Sequence, residues 1–258
     1  MRPTILVTGA RGQLGAELAV SLAPLGRVIA TDRTTLDLAD ASAVAGAVRS
    51  AKPALIVNAG AYTNVDLAER ESALADAVNG VAPGVLADEA AKLGAVLIHY
   101  STDYVFDGTA RRPYDEDDPV APLSAYGRSK LAGERAVLES RAKSLVLRTS
   151  WVYGLSGRNF LLTMRRLAAE RPEIRVVDDQ TGTPNWCREL ARATARLVGE
   201  IALQRQAHRA EGEFVPGNLV MAEQPRLDRL RARVEAGVEQ PGAVEEMHLA
   251  DPHHVQQR

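Results

Sequence analysis

Residues 4–15, TILVTGARGQLG, join a strand-like apolar run to a loop with three glycines. TILVT (4–8) has strand length, and the pattern after Gly9, Gly12 and Gly15 is helical. Glycines at this spacing allow a tight turn, let backbone amides approach a pyrophosphate, and permit close packing of helix on strand. A turn with chance glycines is the alternative. Because a first strand and a helix flank the loop, the stretch predicts a dinucleotide-binding loop.

The rest of the chain repeats this strand–helix alternation. Continuously apolar runs are typical of parallel strands that are covered on both faces. The pattern predicts an α/β protein with a doubly wound, Rossmann-like parallel sheet. The predicted strands are 4–8, 27–31, 54–58, 95–100, 144–149 and 174–177, and the predicted helices are 13–23, 41–50, 66–92, 124–140, 157–170 and 187–203.

Two domains are expected from this organisation. Residues 1–178 form a dinucleotide-binding domain with the catalytic residues, and residues 179–258 form a small, truncated or atypical C-terminal substrate lobe. Beyond residue 200 strand alternation is lost and large apolar residues are few, so the last part of the tail is predicted to be poorly ordered. The long segment 101–126 has the length of a functional loop.

Composition narrows the class of protein. The 258 residues are 46% hydrophobic and 25% charged, with a net charge of -2, which is ordinary for a globular protein and gives no footprint for nucleic acid or membrane. Cys187 is the single cysteine; it excludes an internal disulfide and favours a reducing, cytoplasmic compartment. The acidic stretch YDEDDP (114–119) does not have the spacing of a metal-binding loop, so no metal is predicted.

The segments after the second and third strands add cofactor contacts. Asp32 follows the second strand, where an acid can accept hydrogen bonds from an adenosine ribose. Such an acid favours NADH, whereas Arg11 and Arg33 could hold the 2′-phosphate of NADPH, so both cofactors stay open. Asp37 and Leu38 are expected to flank the adenine, and the small residues of NAGAYT (58–63) let a cofactor lie across the sheet edge.

A candidate reacting centre follows the fourth strand. Thr102 or Ser101, at its carboxyl end, can hydrogen-bond a substrate carbonyl. Tyr126 and Lys130 lie four residues apart in a predicted helix and therefore share a face. Because a phenol has a pKa of about 10, we expect Lys130 to lower the pKa of Tyr126 and make it a proton donor. A surface helix with chance spacing is the alternative for the pair alone.

Six motifs together resemble the dTDP-4-dehydrorhamnose reductases, a family of extended short-chain dehydrogenase/reductases. They are TGARGQLG (8–15), NAGAYTNVDLAE (58–69), STDYVFDG (101–108), PLSAYGRSKLAGE (122–134), LRTSWVYG (147–154) and DDQTGTP (178–184). The resemblance implies NAD(P)H-dependent reduction of the 4-keto group of dTDP-4-dehydro-β-L-rhamnose to dTDP-L-rhamnose, with a dTDP-sugar as the substrate. It also allows a homodimer.

The resemblance also assigns roles to individual positions. Tyr126 is the proton donor, Lys130 its partner, and Thr102 the group that hydrogen-bonds the substrate; Asp103 and Trp151 would contact the sugar nucleotide. The implied cofactor contacts are Gly12, Gln13, Leu14, Asp32, Asp37, Leu38, Ala61, Tyr62, Thr63, Tyr100, Tyr126 and Lys130.

The chain departs from the family pattern at a few places. Gly60 stands where alanine is usual, and Tyr62 where histidine is common. The strand, the tryptophan-containing helix and the RRPxNS-type segment that usually complete the family's substrate lobe are missing after residue 200. Two other functions therefore stay open: a sugar-nucleotide epimerase or dehydratase with tightly bound NAD⁺, and a non-catalytic regulatory subunit that binds the cofactor.

Overall fold

A computed structural model describes residues 2–211 and 219–222. Six strands form one parallel sheet in the order β2-β1-β3-β4-β5-β8, and two short strands, β6 and β7, form a separate parallel pair. The strands are β1 (Thr4–Thr8), β2 (Arg27–Ala30), β3 (Leu55–Asn58), β4 (Val96–Thr102), β5 (Lys143–Thr149), β6 (Val152–Tyr153), β7 (Asn185–Trp186) and β8 (Leu219–Ala222).

Helices cover the sheet in two layers, since α5 contacts both α2 and α6 in one group and α1 contacts α8 in another. The helices are α1 (Gln13–Leu22), α2 (Ala41–Ala51), α3 (Val65–Ala68), α4 (Ser72–Asp76), α5 (Ala82–Leu93), α6 (Ala125–Glu139), α7 (Phe160–Glu170) and α8 (Cys187–Glu211). A π-helical turn (Ala77–Val81) joins α4 to α5, and a 3₁₀ turn (Asp103–Val105) follows β4. The predicted doubly wound α/β fold is confirmed.

The main core lies between the sheet and the layer formed by α2 and α5. Leu6, Ile56 and Leu97 from three adjacent strands pack with Val44 of α2 and Leu86 of α5, and none of the five is more than 1% exposed. Burying a side chain of this size contributes about 1.5–3 kcal/mol. This core fixes the positions of β1, β3 and β4 relative to one another. Their carboxyl ends therefore lie together at one edge of the sheet.

Three element predictions are wrong. Residues 174–177 form no strand, and Val176 and Val177 are exposed; their apolar run finds no neighbouring strand. The predicted helix 66–92 is four pieces, because the chain leaves the helix after Ala68 and then widens into the π-helical turn. Conversely, β8 pairs with β5 in a region where no strand was predicted.

The described residues cover only part of the C-terminal segment. The described residues belong to one compact unit, and the division at 178/179 stays a prediction. The remainder of the tail, including the part predicted to be poorly ordered, lies outside the described residues. Within the described part of the chain, no helix is long and apolar enough to cross a membrane.

Candidate active site

The glycine loop forms a close-packed cradle before α1. Gly9 has a positive φ of 68°, and a Cβ on it would lie 2.6 Å from the Cα of Gly60. A Cβ on Gly15 would lie 2.1 Å from the carbonyl oxygen of Gly9. Gly12 is the N-cap of α1 and supplies no side-chain cap, so the first backbone amides of this helix remain open to an anion. The loop therefore has the geometry that pyrophosphate binding requires.

Gln13 links this loop to the segment before α7. Its amide nitrogen donates to the carbonyl oxygen of Arg158 at 3.1 Å, and its amide oxygen accepts from Asn159 at 2.7 Å. Asn159 also caps α7. Leu14, by contrast, is buried in α1 and packs inward. Of the two predicted cofactor contacts Gln13 and Leu14, only Gln13 therefore links the glycine loop to the segment before α7.

Asp32 is fully engaged by the protein itself. One carboxylate oxygen accepts hydrogen bonds from the backbone and hydroxyl of Thr34 and from the backbone of Thr35, and the other lies 2.8 Å from Nε of Arg11. These hydrogen bonds, chiefly that from the Thr34 hydroxyl, lower the pKa of Asp32, with Arg11 contributing. An acid and an arginine therefore meet where the adenosine ribose is expected.

The other predicted adenine and ribose contacts lie around Gly60. A Cβ on Gly60 would lie 2.6 Å from Cδ1 of Leu38, so this glycine lets Leu38 pack directly against the segment after β3. Asp37 is exposed and accepts from the backbone of Ala39. Ala61 and Tyr62 are half-buried, whereas Thr63 is exposed.

Asn79, which sequence analysis did not single out, holds the segment containing Tyr62 against α6. Its amide accepts from the backbone nitrogen of Tyr62, donates to the Tyr62 carbonyl oxygen, and donates to the hydroxyl of Ser129. Ser129 in turn donates to the carbonyl oxygen of Tyr126. Asn79 is 1% exposed and lies in the π-helical turn, a feature common at functional sites. No local sequence signal marks such a turn.

Thr102, Asp103 and Tyr126 meet beyond the carboxyl end of β4. The Thr102 hydroxyl donates to the Asp103 carboxylate at 3.1 Å, and it lies close enough to the phenol of Tyr126 to lower the pKa of that group. The ring of Tyr104 packs edge-on against Tyr126, with centroids 5.7 Å apart. The structure therefore brings together the predicted substrate hydrogen-bonding group and the predicted proton donor.

Lys130 is buried behind this cluster. Its amino group donates to the carbonyl oxygen of Tyr100 at 2.6 Å and lies 3.5 Å from Nε2 of His99. Burial lowers the pKa of Lys130 to about 8, with the charge of Glu134 opposing the shift. A lysine in this state can change its charge near neutral pH, unlike an exposed one.

The expected lowering of the Tyr126 pKa is wrong for this structure. Burial raises the pKa of Tyr126 to about 12; the nearby Thr102 hydroxyl opposes the rise, while Asp103 and Tyr104 add to it. The physical reason is burial of the phenol, and Lys130, whose amino group donates to the Tyr100 carbonyl oxygen, is not among the groups that lower its pKa.

Tyr100 and Ser101 also differ from simple expectation. The Tyr100 hydroxyl is hydrogen-bonded to Thr194 in α8, so this side chain ties β4 to the helix on the other face, and burial raises its pKa. The Ser101 hydroxyl is buried and has no hydrogen-bond partner among the described residues. Such an orphan group at a strand end is available to a ligand.

Helix α6, which carries Tyr126 and Lys130, is fixed at its start by two caps. Ser124 accepts from the backbone nitrogen of Gly127, and Glu69 accepts from that of Ala125 at 2.7 Å. Sequence analysis did not assign Glu69 to this helix, since the two are distant in sequence. An acid at a helix N-terminus is favourable, so Glu69 helps to orient α6.

Trp151 lies at the end of β5 in a strained conformation. Its φ is 41° and its side chain is 47% exposed. Its indole packs on Gly182, where a Cβ would lie 2.6 Å from the ring. Residues held in sparsely populated backbone regions are enriched at ligand sites, and the contact of Trp151 with the substrate stays a prediction.

The fold and this site define a Rossmann-like member of the short-chain dehydrogenase/reductase class. A family model described as the RmlD substrate binding domain matches residues 1–214. A dTDP-4-dehydrorhamnose reductase from Burkholderia thailandensis is 50% identical over 213 residues, which is 83% of this chain and 70% of the relative. The chain belongs to the dTDP-4-dehydrorhamnose reductase family.

Solved structures agree with this membership. A dTDP-4-dehydrorhamnose reductase from Clostridium acetobutylicum shares 36% identity, with a TM-score of 0.76 over 89% of this chain and 80% of that one. A dTDP-4-dehydrorhamnose reductase from Bacillus anthracis, solved with NADP, also shares 36% identity, with a TM-score of 0.75 over 86% and 76% of the two chains.

Proposed function

We propose that the protein reduces the 4-keto group of dTDP-4-dehydro-β-L-rhamnose to a hydroxyl, giving dTDP-L-rhamnose, with NADPH or NADH as the reductant. Family membership supplies the substrate class. The observation that carries the assignment is the position of Thr102 beside Tyr126 at the carboxyl end of β4, the edge at which open α/β sheets bind their ligands.

The residues present fit a nicotinamide dinucleotide. Gly9, Gly12 and Gly15 leave no side chain between the backbone and a pyrophosphate, and the uncapped start of α1 faces the same loop. Asp32 with Arg11 would hold the adenosine ribose or its 2′-phosphate. When bound, the reduced nicotinamide supplies the hydride that adds to the carbonyl carbon.

The protein's own groups manage the proton and the developing negative charge. Tyr126 donates its phenolic proton to the carbonyl oxygen of the substrate, which becomes the new hydroxyl. Thr102 hydrogen-bonds the same oxygen as charge develops on it. A phenol with a pKa near 12 is a weak acid, so the charge of Lys130 must act when Tyr126 loses its proton.

Asp103 and Trp151 are proposed to contact the sugar nucleotide. Asp103 is fixed by its bond from Thr102, and Trp151 presents an exposed indole at the end of the neighbouring strand. The homodimer and the cytoplasmic location stay predictions from sequence. Among the described residues, no group of three or more His, Cys, Asp or Glu side chains could hold a metal ion.

A coupled assay tests the proposal. Purified protein should oxidise NADPH or NADH only when the 4-keto sugar nucleotide is present, with product identified by mass spectrometry. Tyr126→Phe should lower kcat by about 10²–10⁴-fold in a variant that still binds the cofactor. Tyr114→Phe is the matched control, because that hydroxyl binds Asp107 in the loop before α6.

Each other result has a defined meaning. Normal turnover by Tyr126→Phe would overturn the mechanism. Tightly bound NAD⁺ with no net consumption of reductant would indicate an epimerase or dehydratase. Cofactor binding without turnover on any keto sugar would indicate a non-catalytic binding subunit.

A further inference from the structure

Three polar side chains lie side by side across the centre of the sheet. Thr8 of β1 is in register with Asn58 of β3, and Asn58 is in register with His99 of β4. None of the three is more than 1% exposed. A polar row at this depth requires complete hydrogen bonding, and it ends against Lys130 of the proposed active site.

The hydrogen bonds along this row run in one direction. The backbone nitrogen of Gly60 donates to the Thr8 hydroxyl at 3.2 Å, and that hydroxyl donates its one proton to the amide oxygen of Asn58 at 2.6 Å. The amide nitrogen of Asn58 then faces Nδ1 of His99 at 3.0 Å. Because an amide nitrogen only donates, Nδ1 must accept, and the proton of a neutral His99 lies on Nε2.

This tautomer determines what Lys130 meets. Nε2 of His99 lies 3.5 Å from Nζ of Lys130, and Nζ donates to the carbonyl oxygen of Tyr100. A neutral amine satisfies both neighbours, since it donates to the carbonyl and accepts from Nε2–H. An ammonium group has no lone pair, so it would face a second donor.

We propose that His99 is a positioning residue: the Thr8–Asn58–His99 row holds its Nε2–H against Lys130 and thereby favours the neutral amine of Lys130. His99 would thus set the pH range over which Lys130 can support Tyr126. The statement about this pH range rests on the proposed reduction, whereas those about the His99 tautomer and the ionisation of Lys130 do not.

The other groups around Lys130 are consistent with this role. Glu134, one turn further along α6, favours the ammonium, but its carboxylate is bound by Arg148 of β5 at 2.8 Å. Tyr126 is one turn before Lys130 on the same helix. Burial, followed by the charge of Lys130, holds the pKa of His99 well below its ordinary value, so His99 stays neutral.

The first test uses NMR on the whole chain and needs no turnover. The chain has five histidines, and loss of one set of ring ¹⁵N signals in His99→Gln assigns His99. We expect an unprotonated Nδ1 and a protonated Nε2 at pH 7. A protonated Nδ1, or a charged ring, would overturn the proposal.

The second test removes the directionality of the row. In Thr8→Val no hydroxyl fixes the Asn58 amide, and in Asn58→Asp both side-chain oxygens accept, so His99 can present an unprotonated Nε2 to Lys130. Each variant should raise the pH midpoint of the Lys130 Cε signal by about one unit. Thr4→Val, at the opposite end of β1 where the hydroxyl accepts only from Arg27, should leave the midpoint unchanged.

Activity then provides an independent readout. If turnover requires the Lys130 ammonium, kcat falls at high pH, and both variants should move this limb upward by about one pH unit. Melting curves show whether each variant is folded. An unchanged Lys130 midpoint in a folded variant overturns the inference, whereas shifted midpoints in a protein without reductase activity overturn only the proposed function.

Discussion

The amino group of Lys130 lies 2.6 Å from the carbonyl oxygen of Tyr100, and Lys130 is only 2% exposed. Burial of a lysine lowers stability because it disfavours the charge, and this cost is expected where the residue serves activity, as proposed for Lys130. The site therefore requires a residue that the fold alone would not select.

Replacement of Lys130 separates its contribution to activity from its effect on stability. Lys130→Met should lower kcat by about 10²-fold or more and raise the free energy of unfolding at pH 7 by about 2 kcal/mol, once the lost hydrogen bond is allowed for. Chemical denaturation with parallel assays measures both effects. A variant that is less stable than the wild type at pH 7 would contradict the prediction.

The pH dependence of stability shows independently whether buried Lys130 stabilises or destabilises the protein. The folded pKa of Lys130 is about 8 against an ordinary value of 10.5. Between these two pH values the unfolded chain binds more protons than the folded one, so Lys130 makes the free energy of unfolding rise with pH. Below about pH 8 the full destabilisation by the buried lysine is present. Lys130→Met should lack this rise, whereas Lys92→Met, at an exposed lysine, should retain it.

Cofactor preference should depend on the ion pair between Arg11 and Asp32. Arg11→Ala removes a cation that could hold a 2′-phosphate and leaves the carboxylate of Asp32 without its ion-pair partner. The ratio of kcat/KM for NADPH to that for NADH should fall by about 10-fold. Steady-state kinetics at low salt measures the ratio.

Two further variants make this prediction specific. Asp32→Asn should shift the same ratio in the opposite direction, since a repulsive charge is lost. Arg27→Ala removes an arginine that binds Thr4 at the start of β1 and should leave the ratio unchanged. An unchanged ratio in Arg11→Ala would show that Arg11 serves Asp32 only as a structural partner.

Local patterns in the sequence predicted the parts of this fold that local physics determines. The strand runs, the glycine loop and the i,i+4 spacing of Tyr126 and Lys130 depend on period and steric freedom, which are visible in short windows. Strand β8 was missed because its pairing with β5 depends on a partner distant in sequence.

The supporting residues of the site could not be predicted in the same way. Asn79 and Glu69 act on α6 from other helices, and His99 gains its role only through register with Asn58. Each of these side chains reads as an ordinary polar residue in its own segment. The charge environment of Tyr126 was mispredicted for the same reason, since the direction of the Lys130 amino group is set by packing.

The buried ion pair between Glu134 and Arg148 should be important for stability. Arg148 binds both carboxylate oxygens of Glu134, donates to the carbonyl oxygen of Glu116, and lies over the ring of Phe106. Arg148→Met should destabilise the protein by about 3–5 kcal/mol, because an uncompensated buried carboxylate remains. Thermal and denaturant unfolding measure this effect.

The double variant distinguishes charge from packing. Glu134→Leu combined with Arg148→Met should recover a large part of the lost stability, because neither the carboxylate nor the guanidinium of the pair is left buried without its partner. Disruption of the exposed pair Arg175–Glu173 by Arg175→Met should change stability by less than about 0.5 kcal/mol. If the double variant is as unstable as Arg148→Met alone, the loss comes from packing on Phe106.

The left-handed backbone at Trp151 predicts an unusual order of stability between two variants. Trp151→Gly and Trp151→Ala both lose the contact of the indole with Gly182, so the difference between them reports the backbone. At a φ of 41°, Gly is free of the steric cost that Ala carries, and the Gly variant should be the more stable by about 0.5–1 kcal/mol. Both should raise the KM for the sugar nucleotide if Trp151 contacts it.

Trp186 supplies the control, because it lies in strand β7 and is not among the described residues with a positive φ. There the order should reverse: Trp186→Ala should be more stable than Trp186→Gly, since glycine loses more conformational freedom on folding. Denaturation curves of the Gly and Ala variants at both positions measure these two orders of stability. Equal stabilities of the two Trp151 variants would mean that the chain at this position relaxes once the indole is removed, and the strain would then belong to the contact with Gly182 rather than to the backbone.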